Sequence, residues 1–252
     1  MQVTVIGSGT AIPVRSRGYA GVYVRAGAEQ LLLDSGPGTL QRLAAIGVTY
    51  RDLDRIGYTH FHPDHSLDLV SILFAMRVSD PQGDARTKPL TIYGPVGLRA
   101  LYEALNAAYH GVIAPRSYEL RLEEIDETAI ELPGYRLTTR RLRHSIEAIG
   151  YRVEAGGRSV AYSGDTDECD GIVALGREAD LLLLECSMTD ERKVDGHLTP
   201  SSCGRIAAQA RCRRLMLTHF YPVFDGYDIL GRVRQHFTGP ASLAQDGITL
   251  TL

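Results

Sequence analysis

The chain has 252 residues, of which 44% are hydrophobic and 23% are charged, and its formal net charge is −3. The negative charge argues against a broad, charge-driven nucleic-acid surface. The longest apolar stretches, such as residues 181–184, are far shorter than the roughly 18 residues of a membrane span. We therefore expect a globular protein without a membrane segment.

The N-terminal segment and the cysteines indicate the cellular compartment. A strand-like segment, residues 3–6, begins almost at the N-terminus, so we expect no signal peptide. The cysteines form no Cys-x-x-Cys pair, which is typical of free thiols in a reducing compartment. They are Cys169, Cys186, Cys203 and Cys212. We therefore expect a cytoplasmic protein without disulfide bonds.

The first half of the chain alternates short apolar runs with amphipathic segments. Strands are expected at residues 2–6, 20–25, 30–33, 55–59 and 90–93, and helices at residues 39–46, 66–77 and 96–109. No low-complexity tract and no break in composition marks a linker. We expect a single domain over residues 1–252.

The second half begins with alternating polar and apolar residues over 118–163, which predicts several antiparallel strands. These include strands at residues 135–142, 149–154 and 159–163. Helices are then expected at residues 169–175, 200–211 and 226–236, and strands at residues 180–185 and 214–218. Thr199 followed by Pro200 is a typical helix start. Mixed strands flanked by helices indicate sheets covered on their outer faces.

A dense group of metal-ligating side chains follows the strand at residues 55–59. It contains His60, His62, Asp64 and His65 within six residues. Imidazole and carboxylate groups are suitable ligands for Zn²⁺ or a similar first-row metal. The alternative, a polar surface loop, does not explain why three histidines and an aspartate stand so close. This loop is the strongest candidate for a metal site.

Four later residues share one kind of position, next to a strand end or a helix start. They are His144, Asp165, His197 and His219. Taken alone, each would more often be a structural residue. Loops at one edge of a sheet assembly can converge on a single site, however. We therefore treat the four as candidates for the same site as the His60–His65 loop.

In this order, the motifs H-x-H-x-D-H, His, G-D-T, G-H-L-T and T-H resemble the metallo-β-lactamase superfamily. The nearest likeness is to its ribonuclease Z-like phosphodiesterase branch, and it includes the early turn Asp34-Ser35-Gly36. The resemblance covers nearly the whole chain. It implies an α/β fold, a four-layer αββα sandwich with the metal ions at one edge.

The resemblance also implies two divalent metal ions, with zinc expected and manganese or iron as alternatives. It places His60, His62 and His144 on the first ion, Asp64, His65 and His219 on the second, and Asp165 between them. Catalytic roles fall to Asp64 and His197, and Asp34 would orient the ligand loop. His62 stands where a redox di-iron relative would have glutamate, which favours hydrolysis.

The expected reaction is hydrolysis of a small phosphodiester by metal-activated hydroxide. Hydrolysis of a lactone, thioester or sulfate ester, and tRNA 3′-processing, remain alternatives. A non-catalytic metal-binding module would lack ligands, and none is missing. Relatives that process tRNA carry a long arm between the equivalents of His144 and Asp165, which here stand 21 positions apart. The only other candidate arm, residues 79–88, is too short.

We therefore expect a small anionic ester as the partner and no long nucleic acid, and a homodimer is left open. Gly7-Ser8-Gly9 lacks the third glycine of a dinucleotide loop, so we interpret it as a loop that borders the site. Tyr221 could line the pocket. The arginines at positions 140, 141 and 143 could meet an anionic substrate or form a solvated strand edge.

Overall fold

The computed structural model describes residues 1–78 and 85–252, so most of the loop at 79–88 lies outside the described residues. Fourteen strands of this part form two seven-stranded sheets. The first sheet holds β1 Gln2–Gly7, β2 Gly21–Ala26, β3 Glu29–Leu33, β4 Arg55–Gly57, β5 Leu90–Gly94, β6 Leu120–Glu124 and β14 Thr249–Thr251. The second holds β7 Thr128–Leu132, β8 Tyr135–Arg141, β9 Ile149–Ala155, β10 Arg158–Tyr162, β11 Leu181–Glu185, β12 Leu215–Thr218 and β13 Ala241–Leu243.

Helices cover the outer faces of both sheets. They are α1 Thr39–Ala45, α2 Pro63–Ser66, α3 Leu69–Arg77, α4 Leu98–Ala108, α5 Asp170–Gly176, α6 Pro200–Ala210 and α7 Ile229–Arg234. No described helix is both long and apolar enough to cross a bilayer. The prediction that Thr199 and Pro200 start a helix is confirmed, because Thr199 caps α6 and accepts from the Ser202 amide.

Strand composition follows strand position. β11, which pairs in parallel with β10 and β12, is buried at every residue, and its run of four leucines suits a strand covered on both faces. β8 lies nearer the edge, and its side chains alternate between buried and more exposed positions. The two patterns in the sequence therefore reflect two depths in one sheet.

Three apolar clusters define the layers. One lies between the sheets and includes Val24, Leu31, Tyr151 and Leu183. The second packs the helices after β10 onto the second sheet, and the third packs α1, α3 and α4 onto the first. Burying each such aliphatic side chain stabilises the fold by about 1.5–3 kcal/mol. The predicted αββα sandwich is confirmed.

The sheet order directs several strand ends to one edge. β3 and β4 pair in parallel, as do β10, β11 and β12. β8 runs antiparallel to β9, which runs antiparallel to β10, so β8 also ends at this edge. The loops after β4, β8, β10, β11 and β12 are therefore close together. These loops carry the candidate site residues.

Some element boundaries differ from the prediction. The helix expected at residues 66–77 is divided into α2, which begins at Pro63, and α3. The strands β13 and β14 were not predicted. Each has three residues, too few for an alternating pattern to be visible in the sequence. Their pairing partners, β12 and β1, define them.

Candidate metal centre

The structure brings all seven predicted metal-ligating residues to one edge of the sandwich. One group contains His60, His62, His144 and Asp165, and a second contains Asp64, His65 and His219. Within each group, one ligand atom per residue lies within 4.8 Å of all the others. A third, overlapping group joins His197 to Asp165 and His219. The resemblance implies a similar division, with Asp165 between the two groups, and the metal-binding roles stay a prediction.

The first group has the spacing of ligands around one ion. The distance from His62 Nδ1 to His60 Nε2 is 3.1 Å, and that to His144 Nε2 is 3.2 Å. Two nitrogens bound to one tetrahedral Zn²⁺ at 2.0–2.1 Å lie about 3.3 Å apart. Asp165 Oδ2 is 3.8 Å from His60 Nε2 and 4.0 Å from His144 Nε2. These donors fit a divalent ion.

The second group faces the other oxygen of Asp165. His65 Nε2 lies 3.1 Å from His219 Nε2 and 3.3 Å from Asp165 Oδ1. Asp64 Oδ2 is 3.5 Å from His219 Nε2. Asp165 Oδ1 is buried and has no hydrogen-bond partner within the described residues. The nearest groups to this oxygen are the imidazole nitrogens of His65 and His219. A buried carboxylate oxygen without a hydrogen-bond donor is suited to a cation, so the carboxylate fits a position between the two groups.

Asp34 supports the Nδ1 sides of two imidazole rings, one directly and one through Thr59. His65 Nδ1 donates to Asp34 Oδ2 at 2.8 Å, and the Tyr162 hydroxyl donates to the same oxygen at 2.9 Å. The Thr59 amide and hydroxyl also donate to this carboxylate, and His60 Nδ1 lies 3.0 Å from Thr59 Oγ1. Asp34 itself has φ 58°, an uncommon left-handed backbone. It therefore occupies the supporting position that the resemblance implies.

The imidazoles of His144 and His219 are held in the same way. His144 Nδ1 donates to the carbonyl oxygen of Gly196 at 2.8 Å. His219 Nδ1 lies 3.0 Å from Ser187 Oγ, and Ser187 Oγ donates to Glu185 Oε2 at 2.5 Å. These bonds select the tautomers that leave Nε2 free toward the candidate ions.

Two glycines permit the loops to approach. A Cβ on Gly164, which has φ 58°, would lie 2.4 Å from Thr59 Oγ1. A Cβ on Gly36 would lie 2.0 Å from the carbonyl oxygen of Asp64. Any other residue at these positions would push the loops apart. The glycines of the S-G-D and D-S-G turns are thus required by close packing around the site.

The pKa shifts of His60 and Asp165 suit metal binding, whereas that of His65 does not. Burial lowers the pKa of His65, but the charges of Asp165 and Asp34 outweigh it and raise the pKa well above its ordinary value. Burial, together with the neighbouring His65, lowers the pKa of His60 well below its ordinary value. Burial opposes ionisation of Asp165, but the charges of His219 and His65 outweigh it and lower the pKa of this carboxyl. Neutral imidazole and ionised carboxylate are the forms that bind cations.

Sequence reasoning missed Glu185, the last residue of β11. Its buried carboxylate accepts from His197 Nδ1 at 2.9 Å through Oε1, and from the Thr166 amide at 3.0 Å. Its other oxygen accepts from Ser187. An acidic residue directly after four leucines, at the edge where the loops converge, was the available signal. Glu185 therefore connects His197 with Ser187, the residue that contacts His219 of the second group.

His197 lies beside the ligand groups rather than within the paired set. Its Nδ1 is 3.9 Å from Asp165 Oδ2, and its ring centroid is 5.1 Å from that of His144. Burial lowers the pKa of His197, but the hydrogen bond and charge of Glu185 outweigh it and raise the pKa to about 9. An imidazolium at neutral pH can donate a proton.

The residues left open by the sequence divide into two kinds. Arg141 binds Asp126 and Arg143 binds Asp195 in exposed ion pairs, which fits a solvated strand edge. The ring centroid of Tyr221, by contrast, lies 6.2 Å from that of His197. The Gly7–Gly9 loop also borders the site, because the carbonyl oxygen of Ser8 accepts from the amide of Phe220, next to His219.

The chain is similar to known proteins over most of its length. The Beta-lactamase superfamily domain matches residues 29–220. Ribonuclease Z of Streptomyces coelicolor is 28% identical, with 97% of this chain and 95% of that protein covered. Its alignment runs over 295 positions, more than the length of this chain, so the relative has segments without a counterpart here.

Two solved structures share the whole fold. The metallo-beta-lactamase fold protein YhfI from Bacillus subtilis superposes with a TM-score of 0.86 at 24% identity, covering 99% of this chain and 98% of that one. The short form of human tRNase Z superposes with a TM-score of 0.80 at 28% identity, covering 100% and 99%. Both superpositions extend over essentially every element described above.

Proposed function

The chain belongs to the beta-lactamase superfamily, and on this premise we propose that it is a hydrolase of small phosphodiesters that uses two divalent metal ions. One observation carries the proposal: two ligand groups share Asp165, with one carboxylate oxygen toward each group. Zinc is the expected ion, because imidazole and carboxylate ligands suit it. The same donors also suit manganese or iron.

The first ion would be held by His60, His62, His144 and Asp165, and the second by Asp64, His65 and His219. Asp165 would also contribute to the second ion, because its Oδ1 lies 3.3 Å from His65 Nε2 and 3.2 Å from His219 Nδ1. When bound, paired divalent ions lower the pKa of water toward 7 and polarise a phosphoryl oxygen. Asp34, Thr59 and Ser187 keep the imidazoles oriented.

His197 would donate a proton to the leaving oxygen, since its ring is held by Glu185 beside Asp165. Glu185 keeps this imidazole protonated and fixes which nitrogen faces the carboxylate. Asp64, which is 8% exposed, would orient the attacking water by accepting a hydrogen bond from it. Substrate therefore binds between His197 and Asp64 in this proposal.

The size of the substrate follows from the segment between His144 and Asp165. It consists of a short loop and the hairpin β9–β10, which leaves no protruding arm there. The net charge of −3 also offers little of the phosphate neutralisation that long nucleic acids require. Both points support a small phosphodiester. Four free cysteines support a cytoplasmic location.

A second candidate is tRNA 3′-end processing. It is favoured by the likeness to ribonuclease Z and to human tRNase Z, each 28% identical over nearly the whole chain. Lactone, thioester and sulfate-ester hydrolysis use the same kind of metal clamp, and no contact around the site within the described part of the chain favours them.

The deciding experiment places a precursor tRNA in competition with bis(p-nitrophenyl) phosphate under one metal and salt condition. We expect the small ester to be hydrolysed and the tRNA to inhibit weakly. A panel of chromogenic phosphomonoester, sulfate, lactone and thioester substrates serves as the control for reaction class. Cleavage of the tRNA at its 3′ junction with a far higher kcat/KM would replace the proposal with the second candidate.

A further inference from the structure

A cavity of about 490 Å³ lies next to the candidate metal centre. Tyr221 belongs to its wall, and the ring centroid of Tyr221 is 6.2 Å from that of His197 and 6.1 Å from that of His219. The volume is in the range of pockets that hold small organic molecules, about 300–1,000 Å³. One wall residue of this cavity therefore lies beside the candidate metal centre.

The cavity has an aromatic wall. Phe220 and Phe224 pack edge to face with centroids 5.8 Å apart, and Phe224 and Tyr227 follow at 5.9 Å. The Tyr227 hydroxyl accepts from the Asp190 amide at 3.1 Å, which holds the ring in place. The guanidinium of Arg17 lies 4.5 Å from the centroid of the Phe220 ring and covers one face of it. Such fixed rings offer flat surfaces to a planar group.

The cavity also has polar groups that are free to bind. Ser16 and Asp225 line it; both are exposed, and neither side chain makes a hydrogen bond within residues 1–78 and 85–252. Arg17 differs, because it already donates to Ser8 Oγ and to the carbonyl oxygen of Ala244. A hydroxyl and a carboxylate beside aromatic rings match a ring with polar edges better than an aliphatic chain.

We propose that this cavity, the Tyr221 pocket, binds the base of a nucleoside phosphodiester whose phosphate lies at the metal centre. The pocket comprises Ser16, Phe220, Tyr221, Phe224, Asp225 and Tyr227. Tyr221 stands between base and phosphate, and Phe224 forms the stacking surface. The inference rests on the proposed phosphodiesterase function and narrows its substrate class.

The test compares two esters with the same leaving group, thymidine 5′-(p-nitrophenyl phosphate) and methyl p-nitrophenyl phosphate. Stacking of one base on an aromatic side chain corresponds to about 5- to 150-fold in binding. We expect kcat/KM for the thymidine ester to exceed that for the methyl ester by this factor, mainly through KM. Equal kcat/KM values for the two esters would overturn the inference and leave the phosphodiesterase function intact.

Substitutions of Phe224 test whether the preference for the thymidine ester arises in the Tyr221 pocket. Phe224→Leu keeps most of the volume but removes the flat ring, and Phe224→Ala removes both. Each should reduce the preference for the thymidine ester at least 5-fold. Phe74→Ala is the matched control, because Phe74 is an exposed phenylalanine on α3 that does not line the pocket. A preference that survives both Phe224 variants would place the base elsewhere.

A binding measurement tests the Tyr221 pocket even if the proposed function is wrong. If the metal-loaded protein hydrolyses neither ester, calorimetry with thymidine 5′-monophosphate tests the pocket by itself. Binding that weakens at least 5-fold in Phe224→Leu, and not in Phe74→Ala, supports the Tyr221 pocket without phosphodiesterase activity. Absence of binding to the wild-type protein overturns the inference.

Discussion

Asp165 is the residue on which both ligand groups depend. Its oxygens lie 3.3 Å from His65 Nε2 and 3.8 Å from His60 Nε2, one toward each group. It is 3% exposed, so its charge is scarcely screened by water. The position makes it the residue whose loss should affect both ions.

We predict that Asp165→Ala reduces the metal content of both positions. Wild-type protein loaded with Zn²⁺ or Mn²⁺ should hold close to two equivalents, and the variant should hold less than one, because each group loses its shared anion. Elemental analysis after gel filtration measures this. Asp126→Ala, on the surface beside Arg141, is the control. A wild-type protein that retains no metal would contradict the dinuclear site.

We predict that His197→Ala retains its metal ions and loses about 10²–10⁴ in rate, the usual contribution of a positioned proton donor. Glu185→Gln should lose less, because the imidazole stays in place without its charged partner. Both losses should be greater for an alkyl leaving group than for p-nitrophenolate, which departs without a proton. Steady-state kinetics on the two leaving groups, with metal analysis, checks this. Loss of metal from His197→Ala would make His197 a ligand instead.

At the scale of elements, Asp190 stabilises the N-terminus of α6, the helix that follows His197 in the chain. Asp190 accepts from the Ser201 amide at 3.0 Å and from the Ser201 hydroxyl at 2.7 Å, at the N-terminus of α6. Burial raises the pKa of Asp190, but hydrogen bonds from Thr199 and Ser201 outweigh it and lower the pKa. An ionised carboxylate here compensates the unpaired amides of the helix end.

We predict that Asp190→Ala lowers the free energy of unfolding by about 0.5–2 kcal/mol at pH 7. Because the pKa is lower in the folded state, this contribution is present above the unfolded value, about 3.9. It is lost as the pH falls through the folded value. Urea unfolding from pH 7 to pH 3 should show the two proteins converging only at the acid end. Asp195→Ala, on an exposed aspartate, should show a smaller difference, and an equal effect would refute the role of Asp190.

At the scale of the whole molecule, the site connects the two sheets. The loop after β4 comes from the first sheet, whereas the loops after β8, β10 and β12 come from the second. Strands β1 and β14, from the two ends of the chain, pair in one sheet. This pairing supports a single domain over residues 1–252, which stays a prediction.

We predict that chelation lowers the melting temperature by about 10–20 °C. Each ion at 100 times its Kd stabilises the folded state by about 2.7 kcal/mol, two ions contribute about 5.4 kcal/mol, and each kcal/mol corresponds to about 2–4 °C in a protein of this size. Circular dichroism with EDTA, then with Zn²⁺ restored, measures the shift. In Asp165→Ala the shift should be much smaller. If the melting temperature of the wild-type protein does not change, bound metal does not stabilise the packing of the two sheets.

The sequence by itself determined what is encoded locally. Many of the strands and helices follow from the period and length of apolar runs, since buried parallel strands and amphipathic helices differ within a few residues. The αββα sandwich was implied by the resemblance to a family. The His60–His65 loop could be recognised because its four ligand-type residues are adjacent in the chain. The distant residues His144, Asp165 and His219 were found through resemblance to a family, and the sheet order then brought them together.

Tertiary structure alone decided the partners that lie far apart in the chain. The pairings of Glu185 with His197, of Ser187 with His219, and of Tyr162 with Asp34 depend on which strand ends meet at the sheet edge. Strand register sets these contacts, and no local pattern reports it. For the same reason the sequence could not show that Arg141 and Arg143 are bound to acidic neighbours, while Tyr221 borders a cavity. The charge of a side chain is local information, but what it faces is decided by packing.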